Sequence, residues 1–164
     1  MSGATTRLEV DRTIAAEPSA IFEILRSPAG HVAIDASGML MSADGDPAAA
    51  VGDSFVVHMD RDSLRDFDLV EYYVTDLIET FETDVEIARS IDGVMQPPMG
   101  HVYGYRLEPI DGGTLVTSYY DWSNLHEQYA GFADRFPIIS EASLRATLGI
   151  LARTVAPGKS RPGA

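Results

Sequence analysis

Hydrophobic and polar residues alternate near the start of the chain, which predicts an opening strand. The alternation over residues 8–14 has the two-residue period of a half-buried strand. Two short helices are expected next. The first begins around Pro18 and ends before Pro28, and the second covers residues 29–34. Residues 35–53 are rich in Gly, Ala, Ser and Asp, which favours a loop with one short strand.

The middle of the chain has the pattern of several antiparallel strands. β-Branched and aromatic residues are dense over residues 55–59, 67–81 and 87–91. Another strand is expected over residues 101–107. The sequence Asp111-Gly112-Gly113 then predicts a tight hairpin turn, because Gly adopts a positive φ without steric cost. The strand that returns from this turn completes the predicted sheet.

A long amphipathic helix is predicted over residues 137–155, after an irregular polar stretch. The apolar face of this helix is broad, and Ser143, Thr147 and Thr154 lie along its middle. Hydroxyl groups there indicate a helix that faces a partly wet cavity. The alternative is that all three bond carbonyl groups of their own helix, and the sequence does not decide between the two. Whether residues 123–136 form a lid is also open.

This order of elements predicts an α+β fold. We expect a curved antiparallel β-sheet wrapped around a long C-terminal helix, with two short helices after the first strand. A length of 164 residues is typical of one domain. The expected organisation is therefore a single domain over residues 1–156, followed by a disordered C-terminal tail over residues 157–164.

Composition and charge exclude several classes of function. The net charge is -13, and an acidic chain without a basic patch is not expected to bind nucleic acid. The chain has no cysteine, which removes disulfides and thiolate catalysis. With no secretory signal and no long apolar run, we expect no transmembrane segment and a cytoplasmic location. Hydrophobic residues make up 45%, enough for a full core.

Motifs for phosphate or metal binding are missing from the sequence. It contains neither a Gly-x-Gly-x-x-Gly nor a Walker-type loop, and His126-Glu127 lacks the second histidine of a zinc-protease motif. Residues 60–71 place acidic residues at several positions of a calcium loop, but Arg65 stands where that loop needs glycine. We therefore predict no metal and no cofactor.

A series of short motifs in a fixed order runs through residues 7–155. The motifs are Leu8-Glu9-Val10-Asp11-Arg12-Thr13-Ile14, Ala16-Glu17-Pro18-Ser19-Ala20-Ile21-Phe22, Ile34-Asp35-Ala36-Ser37-Gly38, Phe81-Glu82, Tyr105-Arg106-Leu107-Glu108-Pro109, Gly112-Gly113-Thr114, Val116-Thr117 and Asp121-Trp122-Ser123. In this order they resemble the START-like helix-grip superfamily (SRPBCC), and within it the bacterial polyketide cyclase/dehydrase and lipid-transport family. The chain departs from the family pattern between Arg61 and Asp68, where an acidic, arginine-containing stretch separates two strands.

The resemblance implies a hydrophobic cavity between the sheet and the C-terminal helix. It does not specify a function, because the family contains binders, transfer proteins and cyclases.

Aromatic and polar residues of the predicted hairpin are the candidate ligand contacts. His101, Tyr103 and Tyr105 share one face of a strand, and Tyr120 and Trp122 share a face of the strand paired with it. Aromatic walls with a few hydroxyl and imidazole groups suit an apolar ligand, whereas the alternative is an ordinary aromatic core. The candidate ligand-binding residues are His101, Tyr103, Tyr105, Tyr120, Trp122, Ser143, Thr147 and Leu151.

Two functions follow from this candidate site. The first is binding, including transport, of a small hydrophobic molecule such as a lipid or polyketide, by a monomer or homodimer. The alternative is a polyketide cyclase or aromatase, in which a His or Tyr polarises a carbonyl while a base removes a proton. The candidate catalytic residues are His101, Tyr103, Tyr120 and Asp121. Asp121 and Asp35 could each orient a ligand or serve as an acid or base, and the alternative is that they are cap or turn formers.

Overall fold

The computed structural model describes residues 5–159 and 161–163, which form seven strands in one antiparallel sheet and three α-helices. The strands are β1 (Arg7–Ile14), β2 (Leu40–Asp44), β3 (Ser54–Asp60), β4 (Glu71–Glu82), β5 (Glu86–Asp92), β6 (Val102–Ile110) and β7 (Gly113–Asp121). The helices are α1 (Pro18–Arg26), α2 (Pro28–Ile34) and α3 (Glu141–Val155), and 3₁₀ segments cover Asp62–Leu64 and Glu127–Arg135. The predicted α+β fold, a curved sheet around a long C-terminal helix, is confirmed.

The core lies between the inner face of the sheet and the helices. The strand order is β1-β7-β6-β5-β4-β3-β2, so β1 and β2 form the two edges. Helix α3 packs on β1 and β7 and also touches α1 and α2. Leu148 and Leu151 of α3 are fully buried together with Ile14 of β1 and Val116 of β7. Burial of this apolar stripe holds the last helix on the sheet.

The junction between α1 and α2 is tight and matches the predicted break at Pro28. Ser27 caps α2, because its hydroxyl accepts a hydrogen bond from the Gly30 amide at 3.2 Å. A Cβ atom at Gly30 would lie 2.1 Å from the Ile24 carbonyl oxygen, so only glycine fits there. This junction sets α2 across the end of the sheet, where its residues reach the cavity described below.

Helix α3 begins four residues later than the sequence predicts. The predicted start at Pro137 is wrong, because the cap is Ser140, whose hydroxyl accepts a hydrogen bond from the Ser143 amide at 3.1 Å. The residues before the cap are not helical: Phe136 is buried, and Ile138 and Ile139 form a bend that lines the cavity. The late start therefore adds a piece of wall to the cavity.

The two segments that flank the cavity mouth also differ from the expectation. Strand β4 begins at Glu71 and not near Phe67, because residues 61–70 form a separate loop. Residues 123–136 are not wholly irregular, since they contain the 3₁₀ segment Glu127–Arg135. Tyr129 anchors this segment: its side chain is buried, and its hydroxyl donates to the Pro97 carbonyl at 2.5 Å.

The predicted domain limits and the predicted disordered tail depend on the two ends of the chain. Pro162 lies near the β6–β7 turn, where its Cβ is 3.6 Å from the position a Cβ would take at Gly112. Residues 1–4, 160 and 164 lie outside the described part of the chain, so the domain limits and the tail disorder stay predictions. Within the described residues, no helix is long and apolar enough to cross a membrane.

Candidate functional site

A cavity with two adjoining chambers lies between the inner face of the sheet, α2, α3 and the segment that leads into α3. The inner chamber has a volume of about 100 Å³, and the outer chamber has a volume of about 280 Å³. Together they reach the lower end of the range for small-molecule pockets, about 300–1,000 Å³. The residues that line both chambers are Met39, Met59, Val74, Ile91, Tyr103 and Ile139.

The outer chamber is largely apolar. Methionine, aromatic and aliphatic side chains make most of its wall, and Arg61 and Arg135 are the two charged residues that line it. Its mouth carries exposed apolar side chains, with Phe67 at 39% and Phe132 at 44% of full exposure. The residues that line this chamber alone are Arg61, Phe67, Leu69, Tyr72, Gly93, Val94, Met95, Met99, His101, Phe132, Arg135, Phe136 and Ile138. Such a wall favours an apolar ligand.

Arg61 holds the loop that forms one side of the mouth. Its side chain is only 6% exposed, and its guanidinium binds the Asp66 carboxylate through two hydrogen bonds. The same guanidinium donates to the Tyr72 hydroxyl at 3.2 Å and lies 5.0 Å from the centre of the Phe67 ring. The stretch in which the sequence departs from the family pattern is therefore an ordered wall, with its arginine neutralised by its own loop.

The inner chamber has a mostly apolar wall that carries one cluster of polar and charged groups. Asp76 of β4 and Arg89 of β5 lie in it side by side, with Arg89 Nε 2.9 Å from Asp76 Oδ2. His31 of α2 approaches the same carboxylate oxygen at 3.3 Å, and burial lowers the pKa of this histidine. Ser118 of β7 and Ser143 and Thr147 of α3 add hydroxyl groups to the lining of this chamber.

His101 forms a hydrogen-bonded aromatic group with Tyr120 and Tyr103 between the chambers and the core. Its Nδ1 lies 2.7 Å from the Tyr120 hydroxyl, and the rings of Tyr103 and Tyr120 stack in parallel at 4.2 Å. Burial lowers the pKa of His101 to about 4, so the imidazole is neutral at neutral pH. Burial also raises the pKa of Tyr103 to about 12 and that of Tyr120 above its ordinary value. The group can give hydrogen bonds, but it carries no charge.

The structure brings some of the predicted site residues together at the cavity. His101 lines the outer chamber, Tyr103 lines both chambers, and Tyr105 lines the inner one. Of the three helix hydroxyls, those of Ser143 and Thr147 face the inner chamber. The Thr154 hydroxyl donates to the Ile150 carbonyl at 2.7 Å, so both interpretations of these hydroxyls hold, each for different residues.

Other predicted residues lie away from the chambers. Tyr120 is fully buried behind Tyr103 and His101, and Trp122 and Leu151 belong to the core without lining either chamber. Asp121 lies on the opposite face of β7 from Tyr120. There it pairs with Arg7 at 2.9 Å and accepts a hydrogen bond from the Ser123 amide, so we remove it from the candidate catalytic group.

Asp35 is a turn former at the edge of the inner chamber. Its carboxylate accepts hydrogen bonds from the Ser37 and Gly38 amides at 3.0 and 2.9 Å, and also from the Ser37 hydroxyl. Of its two sequence interpretations, the structure supports the turn.

The Asp76 and Arg89 pair is the part of the site that the sequence interpretation missed. Asp76 lies between Val74 and Ile78 in the alternation of β4, and Arg89 lies between Ile87 and Ile91 in β5. Both charged residues therefore stand at positions of the strand period that point inward. The sequence signal that could have revealed this pair is a charged residue at an inward-pointing position on each of two neighbouring strands.

The chain was compared with known proteins and solved structures. No protein-family model matches it, and no curated protein matches it. A Rhodobacter sphaeroides protein of known structure is 21% identical, with a TM-score of 0.65 over 95% of this chain and 96% of the other. The Aha1 dimer from Colwellia psychrerythraea is 18% identical, with a TM-score of 0.62 over 94% of this chain and 99% of the other. The chain has the helix-grip fold.

A third solved structure comes from a biosynthetic locus. DynU16, from the dynemicin biosynthetic locus, is 13% identical, with a TM-score of 0.62 over 97% of this chain. This chain spans half of DynU16. At these identities the likeness concerns the fold alone, and the function has to be argued from the cavity.

Proposed function

We propose that this protein binds a small hydrophobic molecule, such as a lipid or a polyketide, in the two-chamber cavity. The observation that carries the proposal is the outer chamber, 280 Å³ in volume with a largely apolar wall. An ordinary aromatic core would fill this space with its own side chains, whereas Tyr103 and Phe136 stand at its edge. One solved structure with the same fold, DynU16, comes from the dynemicin biosynthetic locus.

The proposal also includes the cellular location and the oligomeric state of the protein. We place it in the cytoplasm as a carrier or sequestering protein, either as a monomer or as a homodimer. One solved structure with the same fold is a dimer.

Native mass spectrometry of freshly purified protein tests the binding proposal. We expect a stoichiometric adduct, and organic extraction then identifies the chemical class of the bound molecule. Val74 lines both chambers, so Val74→Phe fills space that the ligand needs and should remove the adduct. Val56 lies on the outer face of the neighbouring strand β3, and Val56→Phe is the matched control that should keep it. An adduct that persists in Val74→Phe places the ligand elsewhere and contradicts the proposal.

A second candidate function is catalysis of polyketide cyclisation. The observation in its favour is the chain of hydrogen-bonding groups from His101 Nδ1 to the Tyr120 hydroxyl, beside the Tyr103 ring at the cavity wall. A neutral imidazole can hydrogen bond a substrate carbonyl. However, a pKa of about 4 makes His101 a weak general base at neutral pH, so the site favours binding over catalysis.

A short linear poly-β-ketone thioester tests the cyclase candidate. A cyclase would form the aromatic product faster than the spontaneous reaction in buffer, and His101→Ala would remove this acceleration while ligand affinity remained. Product formation at the buffer rate with the native protein would exclude cyclisation of this substrate class.

A further inference from the structure

The inner chamber contains charged atoms that the fold leaves without hydrogen-bond partners. Asp76 is only 2% exposed, and Arg89 is the residue whose charge balances it. The contact between Asp76 Oδ2 and Arg89 Nε is ionic but does not have the geometry of a hydrogen bond, and within the described residues neither atom has another partner with that geometry. The next donor is His31 Nε2, 3.3 Å from the same carboxylate oxygen. Buried polar atoms are nearly always hydrogen bonded. Each of the two atoms therefore keeps the capacity to form a hydrogen bond with a group of a ligand in the chamber.

The charges around the pair restrict which group can bind it. Asp76 and Arg89 cancel each other, and burial lowers the pKa of His31, which keeps that imidazole neutral at neutral pH. The carboxylate of Asp35 also borders the chamber. A ligand carboxylate bound at the pair would therefore lie beside the Asp76 carboxylate, and a ligand ammonium would lie beside Arg89. Both charged groups are disfavoured.

A hydroxyl group matches both unpaired atoms. It can donate a hydrogen bond to Asp76 Oδ2 and accept one from Arg89 Nε, and it brings no charge into the chamber. The nearby hydroxyl groups of Ser118, Ser143 and Thr147 make this part of the wall hydrophilic. The chamber volume of about 100 Å³ limits the buried end to a hydroxyl with a few carbon atoms.

The two chambers together define an amphipathic ligand. On the basis of the proposed function, we propose that the cavity selects a molecule with a neutral hydroxyl at its buried end, bound between Asp76 and Arg89. The apolar body of the ligand then lies in the outer chamber, past the shared wall of Met39 and Met59.

A series of ten-carbon probes that differ only at one end tests this proposal on the native protein. Each probe displaces the neutral fluorophore N-phenyl-1-naphthylamine, and the probes are 1-decanol, 1-methoxydecane, decanoate and decylamine. We expect 1-decanol to bind at least about tenfold more tightly than 1-methoxydecane, because the ether cannot donate to Asp76 and leaves a buried acceptor unpaired. Decanoate and decylamine should also bind more weakly than the alcohol.

The outcomes separate this proposal from the proposed function. If neither the fluorophore nor any ten-carbon probe binds, the cavity does not take apolar ligands and the proposed function fails. Equal affinity for 1-decanol and 1-methoxydecane would mean that binding is purely apolar and water satisfies the pair. That result overturns the hydroxyl site and leaves the proposed function intact. Decanoate as the tightest probe would likewise overturn the hydroxyl site.

Asp76→Asn gives an independent test with the same probes. The substitution keeps the size of the side chain but leaves the charge of Arg89 unbalanced, so decanoate should gain about tenfold in affinity relative to 1-decanol. Glu79→Gln is the matched control, because Glu79 is on the same strand but exposed, and the order of affinities should stay as in the native protein. Circular dichroism confirms folding of both variants. An unchanged ratio in folded Asp76→Asn contradicts the site, and the native series decides if that variant does not fold.

Discussion

At the residue scale, the most unusual feature is the opposed pair of buried charges on neighbouring strands. Asp76 and Arg89 stand at positions where the strand period calls for apolar side chains, with apolar neighbours on both sides. Removing a charge from water is costly, and only the partner charge offsets that cost. Each residue of the pair therefore depends on the other to offset the free-energy cost of its burial.

Removal of one partner should be strongly destabilising. We expect Arg89→Met to lower the free energy of unfolding by about 3 kcal/mol, because it leaves the buried Asp76 carboxylate uncompensated. Arg145→Met is the control: Arg145 pairs with Glu141 at 2.9 Å, but its side chain is 57% exposed, so the loss should stay below about 1 kcal/mol. Urea denaturation of both variants measures the difference. Equal small losses would show that Asp76 does not depend on Arg89.

The buried histidine predicts a dependence of stability on pH. The pKa of His101 in the folded protein is about 4, below the value of about 6.5 for an unfolded chain. As the pH falls below 6.5, the unfolded state binds a proton that the folded state does not, so stability should fall by roughly 3 kcal/mol by pH 4. His101→Gln should remove this part of the pH dependence in urea denaturation. An identical slope in the variant and the native protein would contradict the burial of a neutral His101.

At the element scale, two local features position the secondary-structure elements that surround the cavity: the cap of α3 and the packing of Tyr119 on β6. Ser140 sets where α3 begins, and so how much non-helical chain lines the cavity before the helix. On the outer face of the sheet, Tyr119 lies across Gly104, where its hydroxyl donates to Glu86 at 2.6 Å. Ser140 and Tyr119 line neither chamber, whereas Gly104 lines the inner one.

Loss of the α3 cap should weaken the helix. We expect Ser140→Ala to lower the free energy of unfolding by about 1 kcal/mol, because the Ser143 amide loses its partner. Thr154→Ala on the same helix should be neutral or slightly stabilising, since Thr154 is exposed and alanine is the better helix former. Thermal unfolding of the two variants compares them. A Ser140→Ala protein as stable as the native one would mean that the cap does not hold the start of α3.

The glycine beneath Tyr119 should not tolerate a side chain. A Cβ at Gly104 would lie 2.2 Å from the Tyr119 ring, so Gly104→Ala displaces the ring and should cost about 1–3 kcal/mol. Gly131→Ala is the matched control, because nothing lies within 4 Å of its Cβ position, and it should be neutral or slightly stabilising. Urea denaturation measures both. A neutral Gly104→Ala would contradict the close packing of Tyr119 on β6.

The hydrophobic periodicity of the sequence predicts which face of the sheet a residue occupies, but not how deeply its side chain is buried. The hairpin at Gly112, where φ is 76°, and the shared face of His101 and Tyr103 could both be predicted for that reason. Whether a residue on that face lines a cavity or lies behind another ring depends on packing across the sheet, which is why Tyr120 was expected at the cavity wall. The start of α3 was missed because Pro137 is a strong helix signal, and the Ser140 cap prevailed over it.

At the scale of the whole molecule, the sheet and the last helix leave a cavity that changes character from mouth to interior. The outer chamber is largely apolar, and in the inner chamber the charges of Asp76 and Arg89 balance each other. The chain as a whole carries a net charge of -13, which acts on other macromolecules but not on a neutral ligand inside the cavity. These features are the basis of the proposal that the cavity binds an uncharged, mostly apolar ligand.

A calorimetric titration of the native protein with 1-decanol at two temperatures tests this central claim most directly. We predict saturable binding of one molecule per chain, with an enthalpy that becomes more negative at the higher temperature, because burial of apolar surface lowers the heat capacity. Val74→Phe should abolish the binding and Val56→Phe should preserve it. Absence of saturable binding at both temperatures, or equal binding by Val74→Phe, would contradict the account of the cavity as a site for a hydrophobic ligand.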